Sequence, residues 1–413
     1  MTDAPACRFC RAPLTQTFID LGNQPLANSY LTLAELEAGI ERAWPLHARV
    51  CGECFLVQVD DPVAAEAIFD SGYAYFSSYS ASWVAHAKRY AEAMTSRLGL
   101  EPQSLVVEIA SNDGYLLQHF KAAGVRVLGV EPSANTAEAA RAIGVPTEVA
   151  FFNAATGQAL AARGVQADLM AANNVLAHVP DIGDFVAGFR HVLKPEGVLT
   201  FEFPHLLKLI ELVQFDTIYH EHFSYLSLLA VERVLKSQGL RVFDVERLTT
   251  HGGSLRLFCA HEAASHAETD ALRALRAEEA QAGLNRIETY AGFTQRVEAV
   301  RDGFLAFLRR AKQEGKTVAA YGAAAKGNTF LNYAGATTQD IVCAFDANPH
   351  KQSRYLPGSH VPILAPEMAA QVKPHYLLIL PWNLKDEIMG QMAHVRDWGG
   401  EFVTASPTVV VHP

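Results

Sequence analysis

From Ser104 the chain breaks into short apolar runs separated by amphipathic stretches, the pattern of alternating strands and helices. "SLVVEIASNDGYLLQHF" predicts a buried strand over 105–109, a small-residue loop and a helix. "VRVLGVEPS" predicts a second strand ending at Glu131, and "ADLMAANNVLAHV" a later one running into a polar loop. "HVLKPEGVLTFEFP" reads as a helix end, a Pro-Glu-Gly turn and another strand. Repeated units of this kind imply a parallel sheet with helices on both faces and ligands at the carboxyl ends of its strands. The pattern then stops. Residues 262–312 are polar and rich in Ala and Glu, with the periodicity of one or two long, structural helices. It resumes with "KTVAAYGAAAKGNTFLNY", a strand, loop and helix. "IVCAFDANPHKQSRYLPG" follows as a strand ending at Asp346 with a basic loop, then "HYLLILPWN" as a third buried strand. Ahead of all this, "DLGNQPLANSYL" reads as turn-rich and "WPLHARVCGEC" as a strand entering a turn.

Two α/β units and a front segment agree with 413 residues, too many for one compact core. The chain is 50% hydrophobic and 19% charged, a globular composition, and no apolar run reaches bilayer length. "MTDAPACRFC" lacks the basic and apolar segments of a secretory signal, so a cytoplasmic protein without a membrane role is expected. A net charge of −10 with no basic block argues against a nucleic-acid partner.

Cysteine spacing adds a metal. Cys7, Cys10, Cys51 and Cys54 form two C-x-x-C pairs, while Cys259 and Cys343 stand alone in apolar segments. Four thiolates close a tetrahedral zinc site with no position for water, which makes the expected Zn2+ structural. A redox pair would want one C-x-x-C opening a helix after a strand. His47 is near enough in sequence to be a rival ligand, but four sulfurs make it unnecessary, and it reads as a strand residue.

The loop Ala110-Ser111-Asn112-Asp113-Gly114 does not match G-x-G-x-x-G and places a carboxylate where a pyrophosphate would be repelled. It suits a cofactor with an amine and hydroxyls, such as S-adenosylmethionine. On that template Glu108 is the strand-end acid and Gly114 the last glycine, with Glu131 spaced to grip a ribose diol. Pro132, Asn173 and Asn174 follow at later strand ends. Phe151 and Phe152 read as core, one of them, Phe151, a candidate to flank the adenine. In the second unit, Gly322, Lys326 and Asn328 open a helix, and Lys351 and Arg354 lie on the next strand-end loop. Helix N-terminus and basic residues together suit a phosphate or diphosphate. No Walker P-loop is present.

These pieces resemble the sugar C-methyltransferases of deoxysugar biosynthesis along almost the whole chain. The resemblance is carried by the paired C-x-x-C turns, "LGNQPLANSYL", "YAYFSSYSASWVAH", "EIASNDGYLL", "IYHEHFSYLS", "THGGSLR", "YGAAAKGNTFLNY" and "NPHKQSRYLPGSHVPI". Ala110 departs from it, standing where the family's loop carries glycine. The resemblance implies an α/β chain of three domains: zinc-binding (1–62), class I methyltransferase, Rossmann-like (63–262), and a second Rossmann-like domain (263–413) helping to grip a sugar nucleotide. It also implies transfer from S-adenosylmethionine, leaving S-adenosylhomocysteine, to a carbon beside the keto group of a nucleoside-diphosphate 4-keto deoxysugar. The expected nucleotide is dTDP, and C3 is preferred to C5.

Carbon methylation needs a nucleophilic carbon. A 4-keto group acidifies its neighbours, so a base can generate an enolate that attacks the sulfonium methyl. Histidine is the natural proton acceptor near neutrality. The resemblance places the site at "DTIYHEHFSYLS". His222 is expected as the base, Tyr219 as donor to the keto oxygen, and Glu221 as a group orienting a histidine or binding a sugar hydroxyl. His178 is the second candidate for proton transfer. Tyr73, Tyr75 and Tyr79 are expected to close the pocket, and His220 to be structural or at most a substrate contact. A metal at His220-x-His222 lacks a second ligand pair. The competing readings are an NAD-dependent dehydrogenase or epimerase of nucleotide sugars, which the missing fingerprint disfavours, and a catalytically silent sugar-nucleotide binder.

Overall fold

The structure, a computed structural model, describes residues 4–60 and 76–413. Three sheets organise it. The middle sheet begins with the strand Leu105–Ile109, whose five side chains are all buried, as a Val/Ile-rich strand covered on both faces must be. Its order is 240–248, 254–261, 193–204, 167–173, 105–109, 126–131, 147–149. The pairing is parallel except at Ser254–His261, which runs antiparallel to both neighbours. In sequence rank this is 3-2-1-4-5-7-6 read from the other edge, with the reversed strand inserted last. That is the class I methyltransferase topology. The order reverses between Leu105–Ile109 and Ala167–Asn173, which puts the ligand crevice over their carboxyl ends.

The C-terminal sheet has the order 363–364, 344–345, 318–321, 376–379, 401–404, 410–412, parallel but for the last pair. It too reverses direction beside its first strand, Val318–Tyr321. The front sheet pairs Gln16–Gln24, Trp44–Val50 and Val57–Val59 antiparallel. A fourth strand, Ser224–Tyr225, comes from the middle of the chain.

Three expectations need correction. "DLGNQ" is the end of the strand Gln16–Gln24 rather than a turn, its polar residues being carried by a register shift between Asp20 and Asn23. The Pro-Glu-Gly turn is absorbed into Leu193–Pro204, where the register slips between Ala167 and Leu169. Residues 262–312 supply three helices, Asp270–Gln281, Glu288–Ala291 and Phe293–Gln313. The first buries Leu272 and Leu275 in the middle core, and the third buries Phe293, Val297 and Phe304 between the front and C-terminal sheets.

Two helices of the middle unit, Ala154–Ala162 and Ile182–Val192, meet through glycines. A Cβ on Gly157 would fall 2.3 Å from the carbonyl oxygen of Gly188, a backbone atom that cannot turn aside. Gly157→Leu is therefore expected to destabilise the middle unit by about 3 kcal/mol, the upper end of overpacking. Gly303, in the helix Phe293–Gln313, has open space around its Cβ, so Gly303→Ala should be neutral or stabilising by about 0.5–1 kcal/mol. Urea midpoints of the two variants check this; equal midpoints would refute the glycine contact.

Candidate active site

The Sγ atoms of Cys7, Cys10, Cys51 and Cys54 lie within 4.8 Å of one another. Cys7–Cys54 is 3.6 Å and Cys10–Cys51 3.4 Å. A tetrahedron with Zn–S bonds of about 2.3 Å has sulfurs about 3.8 Å apart, so the four thiolates fit zinc and close its coordination. Gln58 Nε2 donates to Cys7 Sγ at 3.2 Å while its Oε1 accepts from the Arg8 amide at 2.8 Å. The ligands are thus braced from outside the cluster. His47 is a strand residue, its Nε2 2.9 Å from Thr17 Oγ1, and it takes no part.

At the middle crevice, both oxygens of Glu131 accept backbone amides, from Asn112 and Ser133, each at 2.9 Å. Ala110 and Asn112 hold left-handed conformations, φ +54° and +48°. Ala110 therefore adopts, at a cost, the backbone that glycine takes freely. Asn112 Oδ1 and Asp113 Oδ2 accept the amides of Ser77 and Ser78 at 2.9 and 3.1 Å, so these two side chains dock the segment ahead of the helix Ala81–Leu98 onto the loop. Burial pushes Glu108 well above the usual carboxylate range, reinforced by Glu131, and burial also raises Glu131. Buried atoms without a hydrogen-bond partner gather on these strand ends: Glu108 Oε2, Ser111 Oγ, Asp113 Oδ1, Asn173 Oδ1 and both amide atoms of Asn174. Such atoms call for a polar ligand. An acid-rich lip repels pyrophosphate and suits the ammonium, sulfonium and ribose of S-adenosylmethionine. Gly114 (φ +80°) packs tightly against Ala140, Ile143 and Val145, and Pro132 sits between Glu131 and Ser133. Phe151 is half exposed, whereas Phe152 is core against Phe185 and Phe189.

Beyond Pro204 the segment 214–226 folds over a cavity lined by Tyr219, His222, Tyr225, His251 and Lys326 among others. His222 is fixed on both sides: Nδ1–H donates to the Thr217 carbonyl and Nε2 accepts the Tyr219 hydroxyl, both at 2.9 Å. His178 packs edge-on against it with ring centres 4.6 Å apart and gives its Nδ1 proton to the Glu221 carbonyl at 2.9 Å. Burial holds His222 well below the usual histidine value, with His178 and Lys326 adding to it. Burial brings His178 down to about 4. The pair is neutral at pH 7.

Glu221 does hold a histidine, but through its backbone carbonyl. Its carboxylate takes Asn28 Nδ2 at 2.6 Å and is raised by burial. His220 faces the front sheet, Nε2 3.2 Å from the Pro45 carbonyl and its ring edge-on to Trp44, away from the cavity. Asn328 is fully buried, its Nδ2 donating to the Ala27 carbonyl at 2.6 Å and tying the C-terminal and front domains together. Gly322 (φ +89°) lies against Pro381, where a Cβ would meet Cδ at 2.5 Å. Lys351 Nζ donates to the Ala323 carbonyl at 2.8 Å, and Arg354 to the Tyr30 carbonyl at 3.3 Å. Tyr79 is 69% exposed and stacked on Phe76. Tyr73 and Tyr75 lie outside the described residues.

Lys326 departs most from expectation. It lines the histidine cavity, with Nζ 2.7 Å from Asn383 Oδ1 and 4.6 Å from the Trp382 ring centre. His251 lies within "THGGSLR", a motif whose sequence gives this histidine no assigned role. It holds φ +54° beside Lys326, and burial with the lysine's charge brings it down to about 4. Trp382 packs onto Gly252, where any Cβ would fall 2.4 Å from the ring. Below this loop Glu202, fully buried, meets His86 and Arg256 at 3.0 Å each. Burial opposes its charge, but these partners outweigh it and keep the carboxyl below its usual range.

Fold and site define a class I, S-adenosylmethionine-dependent methyltransferase with a zinc-binding front domain. Family models match as C-methyltransferase C-terminal domain over 249–407, Putative zinc binding domain over 7–69 and Methyltransferase domain over 83–245. The C-methyltransferase NovU of Streptomyces niveus is 38% identical over 401 residues, 97% of this chain and 95% of that one. The chain belongs to the C-methyltransferase family. A ubiquinone biosynthesis O-methyltransferase of Chelativorans sp. (strain BNC1) is 30% identical over 95 residues, 23% of this chain and 38% of that protein. Among solved structures, magnesium protoporphyrin IX methyltransferase (ChlM) from Synechocystis PCC 6803 with bound SAH has a TM-score of 0.35 at 17% identity, covering 43% of this chain and 83% of that one. A likeness of that size adds nothing to the assignment.

Purified protein should carry one zinc per chain, and Cys51→Ser should lose it. Because Gln58 ties Cys7 to the strand Val57–Val59, the variant is also expected to become sensitive to proteolysis near that strand. Elemental analysis with limited proteolysis reads both; full zinc in the variant would overturn the four-thiolate site.

Proposed function

We propose that the protein methylates the carbon beside the keto group of a nucleoside-diphosphate 4-keto deoxysugar, dTDP-linked and at C3 in preference to C5, by way of an enolate. The sugar nucleotide follows the sequence resemblance. The observation that carries the enolate chemistry is the His222 ring, partly buried, held toward the neutral form and aimed by Thr217 with Nε2 toward the cavity hydroxyl of Tyr219. When substrate enters, Nε2 takes the proton α to the ketone, the C–H electrons pass into the enolate, and the Tyr219 hydroxyl turns to the oxygen that becomes charged. His178, held by the Glu221 carbonyl, backs the His222 ring and keeps its orientation. S-adenosylmethionine supplies the methyl as an electrophile, held over the acid-rich lip of Glu108, Ser111, Asp113 and Glu131. Gly322, Lys351 and Arg354 on the C-terminal strand ends grip the nucleotide side.

Three domains divide near residues 62 and 262, with the helix Asp270–Gln281 packed on the middle core. No helix of the described residues is long and apolar enough to cross a membrane. Cytoplasmic placement suits a zinc site made of thiolates that must stay reduced.

Without methyl donor, the enzyme should exchange the sugar's α-hydrogen with deuterated water, and His222→Asn should slow this at least about 100-fold, the scale of general-base catalysis. Mass spectrometry follows it, and the deuterated position distinguishes C3 from C5. Exchange undiminished in the variant moves the base to His178 or a tyrosine. A depressed pKa keeps His222 able to accept a proton as pH falls, so the acid limb of kcat/KM should lie below 6.5. A limb at 6.5 or above would mean an unburied base.

A further inference from the structure

We infer that Lys326 is a catalytic residue whose ammonium steadies the enolate oxygen, and that Asp216 and Trp382 are positioning residues that hold it in place. This rests on the enolate reading above. Lys326 is the second residue of the helix Ala325–Ala334, at the point where the C-terminal sheet reverses direction. From there it reaches across the domain boundary into the cavity that holds Tyr219 and His222. Among the described residues it is the one Lys or Arg lining that cavity, whose other described walls are apolar or neutral, with Leu206, Leu209, Leu226 and Ala177 among them. A diphosphate site would gather several cations. Lys351 and Arg354, the cations proposed for the nucleotide, are not among the residues lining this cavity and lie against the Ala323 and Tyr30 carbonyls.

The lysine's surroundings fix its position and leave donors to spare. One N–H goes to Asn383 Oδ1, and the charge lies over the Trp382 ring. Trp382 Nε1 donates to Asp216 Oδ2 at 2.7 Å. The other oxygen, Asp216 Oδ1, is buried without a partner. Burial pushes Asp216 up to about 6, against the pull of Lys326 and Trp382. Burial likewise lowers Lys326, while Asp216 supports its charge. An ammonium has three donors, so two remain for an oxyanion.

The chemistry needs such a charge. A histidine held far below its usual pKa is a weak base, and it removes an α-proton only if the product enolate is strongly stabilised. As the C–H pair moves into the carbon–carbon bond, the carbonyl pair moves onto oxygen. A fixed ammonium in a water-poor cavity lowers that state more than the neutral ketone. Lys326 keeps its proton throughout and the proton on His222 balances the step.

The test uses the full-length enzyme, a dTDP-linked 4-keto-6-deoxy sugar in deuterated water without methyl donor, and dTDP as binding probe. Lys326→Met is expected to slow α-hydrogen exchange about 100-fold or more, as loss of an oxyanion donor does, with dTDP affinity within about threefold, since no phosphate contact is removed. In Lys326→Ala, added methylamine should restore exchange about tenfold or more, a rescue that mere packing would not show. Asp216→Asn withdraws the counter-charge, so the lysine loses its proton more easily and the alkaline limb of exchange should move to lower pH. Binding of S-adenosylmethionine at wild-type affinity verifies folding of each variant. If the lysine variants do not fold, the limb in Asp216→Asn decides. Exchange slowed less than tenfold, or dTDP affinity falling tenfold or more in parallel, would overturn the assignment, the second outcome making Lys326 a phosphate ligand. If the wild-type enzyme itself exchanges no α-hydrogen, it is the enolate reading that fails.

Discussion

Two residues pair where two domains meet, and the site depends on it: Val57 and Gln58 hydrogen-bond as a β-ladder to Tyr225 and Ser224, two to three positions past His222. The front sheet would otherwise end in an open edge, a row of unpaired amides and carbonyls. The segment carrying His222 would otherwise be a loop of irregular backbone. Each completes the other. The same contact reaches the metal, because Gln58 bridges Cys7 Sγ and the Arg8 amide. Arg8 in turn donates to the Val59 and Pro180 carbonyls and lies over the Phe223 ring. Phe223 follows His222 and Pro180 comes two residues after His178, so one guanidinium braces both arms of the histidine pair. A zinc with no open coordination position would thereby stiffen the segment carrying His222, which is what the proposed base needs to stay aligned to a fraction of an ångström.

The C-terminal domain closes the same cavity from the other side, again through backbone as much as side chain. Thr329 reaches the Ile218 carbonyl at 3.1 Å, and Tyr30 of the front domain donates to the Ala323 carbonyl at 2.6 Å. Trp382 occupies the space that Gly252 leaves. These contacts explain two small-residue motifs that no local rule demands. Gly252 and Gly322 both take positive φ and both face a ring from the Pro381-Trp382 pair. A side chain at Gly252 would push apart the two domains that share the cavity, and one at Gly322 would displace the Pro381-Trp382 pair within the C-terminal domain.

What the sequence disclosed was whatever is written in local order. The strand Leu105–Ile109 is where an apolar run of that length puts it, the acids at 108 and 131 fall at strand ends, and the thiolates meet because C-x-x-C turns present them in pairs. What stayed hidden depends on partners distant in the chain. Ser224–Tyr225 is too short to show a period and exists as a strand only because Val57–Val59 lies beside it. His251 draws its place from Trp83 and Lys326, and its left-handed backbone gives no sign in its own residue type. A lysine at a helix start after a glycine loop points to phosphate by local rules, yet its side chain is directed by Trp382 and Asn383, more than fifty residues on. Residue type alone does not separate His220 from His222 in "YHEHF"; the resemblance does, and the surfaces they meet, Pro45 for His220 and Thr217 for His222, give the physical reason.

The charges divide accordingly. On the cofactor side Glu108, Asp113 and Glu131 crowd together, and burial with mutual repulsion raises Glu108, so the lip favours a ligand that brings positive charge. On the far side burial holds the histidines toward the neutral form, and Lys326, with the charge of Asp216 supporting it, is the cation among the described residues lining the cavity. In the proposed reaction a sulfonium donor and an enolate acceptor carry opposite charges that cancel on transfer, so each needs its own complement beforehand and neither needs it afterwards. Separate domains can hold such opposed environments close together, where a single core would let acid and lysine pair directly and neutralise both. The crossing of Lys326 from the C-terminal sheet into the middle domain's cavity is the structural form of that requirement: the acids belong to one fold, the cation to the other, and the segment carrying His222 lies between them.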